Sequence, residues 1–249
     1  MFESAVQPPV ISLFSSTGSN PLALFSLREG SERHSCICFL HDATSEPRPA
    51  PPTVLLVPSA SLSNRGESRW SEVSDSQGYA LDQTVLHLQS PDLRKTFIQC
   101  PPAASANGSL GIRHPWIHLQ VRNLGKDWMG IIRLSTFQSE PRIKLRLGKP
   151  PLLHLPLSFP GVSSRPLTSW TTINLHLPTY LPHFSSNLLA PVEGDATQGS
   201  LAIPKGSYSH VSYVRVYATC RLRRIWFSEN GLRQGLPWEF ELYAGDDSR

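Results

Sequence analysis

Between residues 213 and 222 the chain alternates without a break. Val214, Val216, Ala218, Cys220 and Leu222 fall on one side, and Tyr213, Arg215, Tyr217, Thr219 and Arg221 on the other. Only an extended strand separates odd from even positions in this way, because successive side chains leave opposite faces of the backbone. One face is apolar and belongs against a core; the other is aromatic and cationic. After Leu222 the phase slips: the next apolar positions are Ile225 and Phe227, so one of Arg223 and Arg224 is extra. A β-bulge there restores the apolar face and re-aims a guanidinium, which would leave three arginines, Arg221, Arg223 and Arg224, crowded on one outward patch.

The same rhythm recurs along the chain, and no stretch carries the 3.6-residue period of an amphipathic helix. Ile117, Leu119 and Val121 alternate with Trp116, His118 and Gln120. Ile143, Leu145 and Leu147 alternate with Lys144 and Arg146, and Ile173, Leu175 and Leu177 with Asn174 and His176. Phe240 and Leu242 alternate with Glu239, Glu241 and Tyr243. Further strands are expected at 84–89, 96–100, 129–134 and 153–157, the last confined by Pro156 to an edge or a strand end. Turn residues fall between them at Asn107-Gly108, Asn123-Leu124-Gly125 and Glu229-Asn230-Gly231. The spacings are too short for helical crossovers, so the strands pair antiparallel. With no helix to cover an apolar sheet face, the expected fold is all-β: an antiparallel, jelly-roll-like β-sandwich of about nine strands.

Two stretches break the pattern. Residues 31–68 contain the run Glu46-Pro-Arg-Pro-Ala-Pro-Pro52, whose prolines remove backbone donors. Residues 185–207 mix Gly, Pro, Ser and Asn. Both read as loop insertions in a single domain spanning 1–249, since doubling a loop costs only about 0.6 kcal/mol of closure entropy. Val54 to Val57 is a short apolar pin within the first of them.

Charge and composition exclude several classes. Lys and Arg number 23 against 19 Asp and Glu, a formal charge of +4, too small for a polybasic tail binder. No apolar run reaches the roughly 18 residues of a spanning helix, and the start lacks the pattern of a secretory leader. A soluble, unsecreted, membrane-free protein is expected. The four cysteines, Cys36, Cys38, Cys100 and Cys220, are too scattered for a disulfide framework, which fits a reducing compartment. Cys36-x-Cys38 with His34 and His41 lacks the gap and the second ligand pair of a zinc site, and strand thiols are the simpler reading.

Catalytic templates are missing: there is no G-x-S-x-G, H-E-x-x-H, G-x-G-x-x-G or Walker-type loop. His87, His118, His154 and His176 fall on the polar side of their strands and read as surface imidazoles. Trp116, Trp128, Trp170, Trp226 and Trp238 read as core or half-buried packing. No catalytic residue, metal, cofactor or small-molecule substrate is expected. The one candidate site is a partner-binding face of Tyr213, Arg215, Tyr217, Arg221, Arg223 and Arg224. Tyr and Arg are the residue types enriched at interface hot spots, and Arg grips carboxylates in a two-pronged fashion. Its natural match is an acidic protein; the bland alternative is a row of arginines that keeps an exposed strand soluble.

The run Cys220-Arg-Leu-Arg-Arg-Ile-Trp-Phe-Ser228, followed by Leu236-Pro-Trp-Glu-Phe-Glu-Leu-Tyr243, closely resembles the C-terminal signature of the cilia- and flagella-associated protein 20 family. In the same order come Met1-Phe2 with Gln7, Gly18-Ser-Asn-Pro-Leu22, Gln99-Cys-Pro101, Leu110-Gly-Ile112, Val121-Arg-Asn-Leu124, and Trp170 with Ile173. The resemblance implies a non-catalytic structural β-sandwich that binds tubulin and microtubules, alongside other axonemal junction proteins. It implies placement in the cytoskeleton, at the inner junction of doublets in the cilium or flagellum axoneme, or at basal bodies. Tubulin is acidic, which would make Arg215, Arg221, Arg223 and Arg224 contacts by charge. The competing readings are a lectin-like ligand-binding sandwich and a nucleic-acid-binding module using the same basic face, the latter marked by steep salt sensitivity.

Overall fold

The structure is a computed structural model that describes residues 2, 6–42, 44–47, 56–58, 79–81, 84–92, 95–102, 109–136, 155, 170–184 and 206–240. Among these residues the chain is all-β, an antiparallel sandwich with ten strands and almost no helix. The strands are β1 (Val10–Ser15), β2 (Ser26–Arg28), β3 (Cys36–His41), β4 (Leu56–Pro58), β5 (Tyr79–Leu81), β6 (Thr84–Gln89), β7 (Phe97–Cys100), β8 (Trp116–Thr136), β9 (Thr171–His176) and β10 (Tyr208–Ser228).

β10 organises the rest. Along one edge it pairs with β8 over its whole length. Along the other it takes three partners in turn: β7 at Val214–Val216, β6 at Cys220–Leu222, and β1 at Arg224–Ser228. β9 extends the sheet beyond β8, β3 beyond β6, and β2 beyond β7, every pair antiparallel. β4 and β5 form a separate two-stranded ribbon.

The apolar alternation finds its core. Val214, Val216, Cys220, Leu222, Ile225 and Phe227 of β10 are all buried, against Ile117, Leu119 and Val121 of β8, Leu86 and Leu88 of β6 and Ile98 of β7. The expected bulge is present: Leu222 faces Val121 and Arg224 faces Gln120, leaving Arg223 unmatched, so Ile225 and Phe227 return to the core. Similar slips at Ser209 and Ser212 bend the other end of β10.

Four expectations need correction. The turn at Asn123-Leu124-Gly125 does not end a strand. β8 continues through it, and residues 124–127 bulge opposite Thr219, between the pairs Asn123–Cys220 and Trp128–Ala218. Turn-forming residues disrupt the ladder there without reversing the chain. The insertion at 31–68 begins too early, because β3 pairs residue for residue with β6 from Cys36–Gln89 to His41–Thr84 and belongs to the main sheet. The described start of the strand expected at 239–243 is instead a 3-10 turn, Trp238–Phe240, folded over the outer face of β8 and β10, and 241–243 lie outside the described residues. His118, expected on the surface, is 2% exposed. The expected strands around 143–147 and 153–157, and nearly all of 185–207, lie outside the described residues.

Several of the sequence landmarks act as ties. Gln7 donates from Nε2 to the carbonyls of Phe2 and Gly111, and its Oε1 accepts from the Arg113 amide. This stitches the N-terminal segment to the Leu110-Gly-Ile112 run, where Gly111 holds φ at 74°. Glycine meets that left-handed conformation without the Cβ penalty other residues incur.

Candidate interaction face on the outer side of β10

The polar face of β10 divides into three environments. Which one a side chain enters depends on the strand beside it.

At the β6 end, Arg221 turns inward. Its side chain is 9% exposed, and Nη1 donates to Asp42 Oδ1 at 2.6 Å and to the Asp42 carbonyl at 2.5 Å. Nη2 donates to Ser45 Oγ at 2.6 Å. The Asp42 carboxylate also accepts from Arg122 Nη1 at 3.1 Å and from the Trp170 indole at 2.9 Å. A buried charge is tolerated only when paired and hydrogen-bonded, and this carboxylate has three donors. Arg221 therefore pins the segment after β3 to the sheet. Beside it, burial lowers the pKa of His87, with the Arg221 charge adding to the effect and the hydrogen bond that His87 Nε2 donates to Gln89 Oε1 opposing it.

At the β1 end, Arg223 and Arg224 are 8% and 6% exposed. The Arg224 guanidinium lies 4.8 Å from the Phe240 ring centroid, a cation–π contact under the C-terminal turn. Burial, with the neighbouring Arg223 charge, pushes it down to about 10, while Glu239 opposes the shift. Next to it runs an aromatic stack: Phe240 meets Trp226 edge-on at 5.1 Å, and Trp226 stacks on His118 at 4.8 Å. Trp116 closes the other side of His118 at 6.3 Å. His118 Nδ1–H donates to Asn174 Oδ1 at 2.6 Å, which leaves Nε2 to accept from Ser228 Oγ at 2.8 Å. Burial holds His118 below the usual imidazole pKa, partly offset by Asn174.

The outward arginine cluster expected at Arg221, Arg223 and Arg224 is thus corrected: all three are buried. Alternation assigned the right face to Arg221 and the right position to the bulge. It carried no information about what covers that face.

At the β7 end the three expected residues do come together, although Tyr217, expected to face outward, is buried. Tyr213 and Arg215 are half-buried and Tyr217 is 5% exposed, and all three come together. Arg215 Nε donates to Gln99 Oε1 at 2.6 Å and Nη1 to the Tyr217 hydroxyl at 2.5 Å. Its guanidinium carbon stands 4.6 Å from the Phe97 centroid, 5.4 Å from Tyr213 and 5.6 Å from Tyr217. The guanidinium carbon of Arg28, on β2, lies 5.9 Å from the same Phe97 ring centroid. The register explains the convergence: Arg215 pairs with Gln99, and Gln99 in turn with Ser26, while Phe97 pairs with Arg28, so all share one face. No carboxylate among the described residues pairs with either guanidinium.

Arg28, Phe97 and Gln99 were not singled out as site residues from the sequence. Gln99 was visible as part of the Gln99-Cys-Pro landmark; nothing in its local pattern links it to Arg215, 116 residues away. Asp42 lay in a stretch read as loop.

For chemistry other than binding, the described residues offer little. No three His, Cys, Asp or Glu side chains among them converge to hold a metal. Cys36 is raised to about 11 by burial and by the neighbouring Cys38, and burial raises Cys100 to about 12, so neither is a ready thiolate. No helix among the described residues is long and apolar enough to cross a membrane.

Fold and face together define an all-β module with a cationic–aromatic cluster at one end of β10, which like β8 runs for 21 residues. The family model of the CFA20 domain matches residues 60–244, and the chain belongs to that family. It is also similar to the cilia- and flagella-associated protein 20 of Chlamydomonas reinhardtii, 26% identical over 179 residues, covering 66% of this chain and 75% of that protein.

Proposed function

We propose that this chain is a non-catalytic structural protein of cilia or flagella that binds microtubules, at the inner junction of axonemal doublets or at the basal body. Family membership and the likeness to a cilia- and flagella-associated protein support the setting. The observation that carries the binding reading is the Arg215 cluster, where two guanidiniums with no carboxylate partner among the described residues share an aromatic platform. Tubulin presents an acidic surface, and arginine with aromatic neighbours is the composition that binds such surfaces with geometric specificity. The docking face is accordingly narrower than the full β10 row: Tyr213, Arg215 and Tyr217 with Phe97 and Arg28. The test is co-sedimentation of the purified protein with stabilised microtubules. Saturable binding that weakens with salt supports the proposal; recovery in the supernatant at every microtubule concentration refutes it. Equal retention on duplex DNA would favour a general polyanion binder.

A further inference from the structure

We infer that the recess around Arg215 is a receptor for a single carboxylate, the side chain of a glutamate or aspartate on the partner, gripped by two parallel N–H donors. The inference deepens the microtubule-binding reading and takes its site from it, but its chemistry stands on the geometry alone.

A guanidinium carries five N–H donors. Two of Arg215's are spent inside the protein, on Gln99 and on the Tyr217 hydroxyl, which leaves three. Those two bonds fix the plane of the group, and the Phe97, Tyr213 and Tyr217 rings wall it in. The arginine is therefore held in one orientation before any partner arrives, so little side-chain entropy remains to be lost on binding. Half-burial lowers the local dielectric and strengthens any charge-assisted bond formed there. A guanidinium in that setting, with no carboxylate partner among the described residues, is an ion pair lacking its anion.

The contrast with Arg221 shows what completion looks like in this fold. Arg221 sits on the same face of the same strand, and the protein itself supplies Asp42, at 2.6 Å. Arg215 has the positioning acceptors, Gln99 and Tyr217, and no acid among the described residues. The missing element is a carboxylate from outside.

Two expectations separate this from diffuse attraction between a basic patch and an acidic lattice. First, lysine fails as a substitute, because an ammonium can neither stack between the rings nor offer a planar pair of donors. Second, loosening the orientation without touching the charge weakens binding: Gln99→Leu removes the acceptor that fixes Nε.

The test uses the full chain and a fluorescein-labelled hexa-L-glutamate peptide read by anisotropy, with hexa-L-glutamine and inorganic phosphate as comparison probes and microtubule co-sedimentation run in parallel. The expected result is saturable hexaglutamate binding, weakened at least tenfold by Arg215→Ala and by Arg215→Lys alike and several-fold by Gln99→Leu, with melting curves that remain cooperative. Hexaglutamine should not bind, and phosphate should not compete at concentrations equal in charge. Arg28→Ala, at an exposed edge, serves as a folding-neutral second variant and should weaken binding less than Arg215→Lys does. Hexaglutamate binding that Arg215→Lys preserves would overturn the receptor, as would effective competition by phosphate. Arg215-dependent peptide binding in a protein that ignores microtubules would keep the carboxylate site and remove the tubulin reading. Microtubule binding that persists in Arg215→Ala, with no Arg215-dependent peptide binding, would do the reverse.

Discussion

The Asp42 cluster makes a quantitative demand on stability. Replacing Asp42 by Ala leaves Arg221, 9% exposed at its side chain, as a buried guanidinium whose nearest anion is gone. Breaking a buried pair from one side costs about 3–5 kcal/mol, because the remaining charge stays desolvated. Arg122 adds less than about 1 kcal/mol, since a third of its side chain meets solvent and its attraction is screened. The Trp170 indole loses its acceptor as well, at about 1–3 kcal/mol, but the same local relaxation serves both groups and the costs overlap. Asp42→Ala should therefore destabilise the fold by about 4 kcal/mol. For a chain of this size each kcal/mol shifts Tm by roughly 2–4 °C, so the expected drop is about 10 °C. Arg221→Met should cost less, about 2 kcal/mol, because Asp42 keeps Arg122 and Trp170. The double variant should lie well short of the sum, since removing both charges leaves none stranded. Urea unfolding of the four proteins yields the cycle. An Asp42→Ala protein melting within 2 °C of the parent would mean that Arg221 reaches solvent and that the buried network does not exist.

Two further outcomes follow from the aromatic stack at the other end of β10. Gly231 holds φ at +57°, and a Cβ there would lie 2.5 Å from the Trp116 ring, so Gly231→Ala should cost about 2–4 kcal/mol in backbone strain and overpacking, read as a lower urea midpoint. His118 is neutral in the folded state, with its pKa lowered from 6.5 by burial, so folding stability is fully present above about pH 6.5 and is lost as pH falls toward the folded value. Because His118→Gln cannot titrate, the Tm advantage of the parent over that variant should shrink between pH 7 and pH 5; a constant difference would place an exposed imidazole at this position.

What was legible in the sequence was the part that alternation encodes. The run from Val214 to Leu222 placed its apolar face correctly, and the broken phase at Arg223 located a real bulge. β6 was delimited to the residue for the same reason. Period two reports which side chains share a face but not what lies over that face. Arg221 looked outward because its cover, Asp42, is 179 residues away in the chain. The 3-10 turn at Trp238–Phe240 reads as a strand because Phe240 and Leu242 alternate with Glu239, Glu241 and Tyr243, and so short a stretch of alternation suits either geometry. His118 was misread because an imidazole between two tryptophans has the same sequence period as one in water. Alternation put Tyr213, Arg215 and Tyr217 on one face, where they do meet, but it gave no sign that Tyr217 is buried beneath Arg215.

The most direct test of where this protein meets its partner is hydroxyl-radical footprinting of the intact chain, alone and on microtubules. Phe97 and Tyr213, half-open beside Arg215, should lose most of their oxidation in the complex, while Leu232 and Trp238, exposed on the C-terminal turns, should keep theirs. Protection at Leu232 and Trp238 with Phe97 and Tyr213 unchanged would contradict the assignment and move the interface to the opposite end of β10.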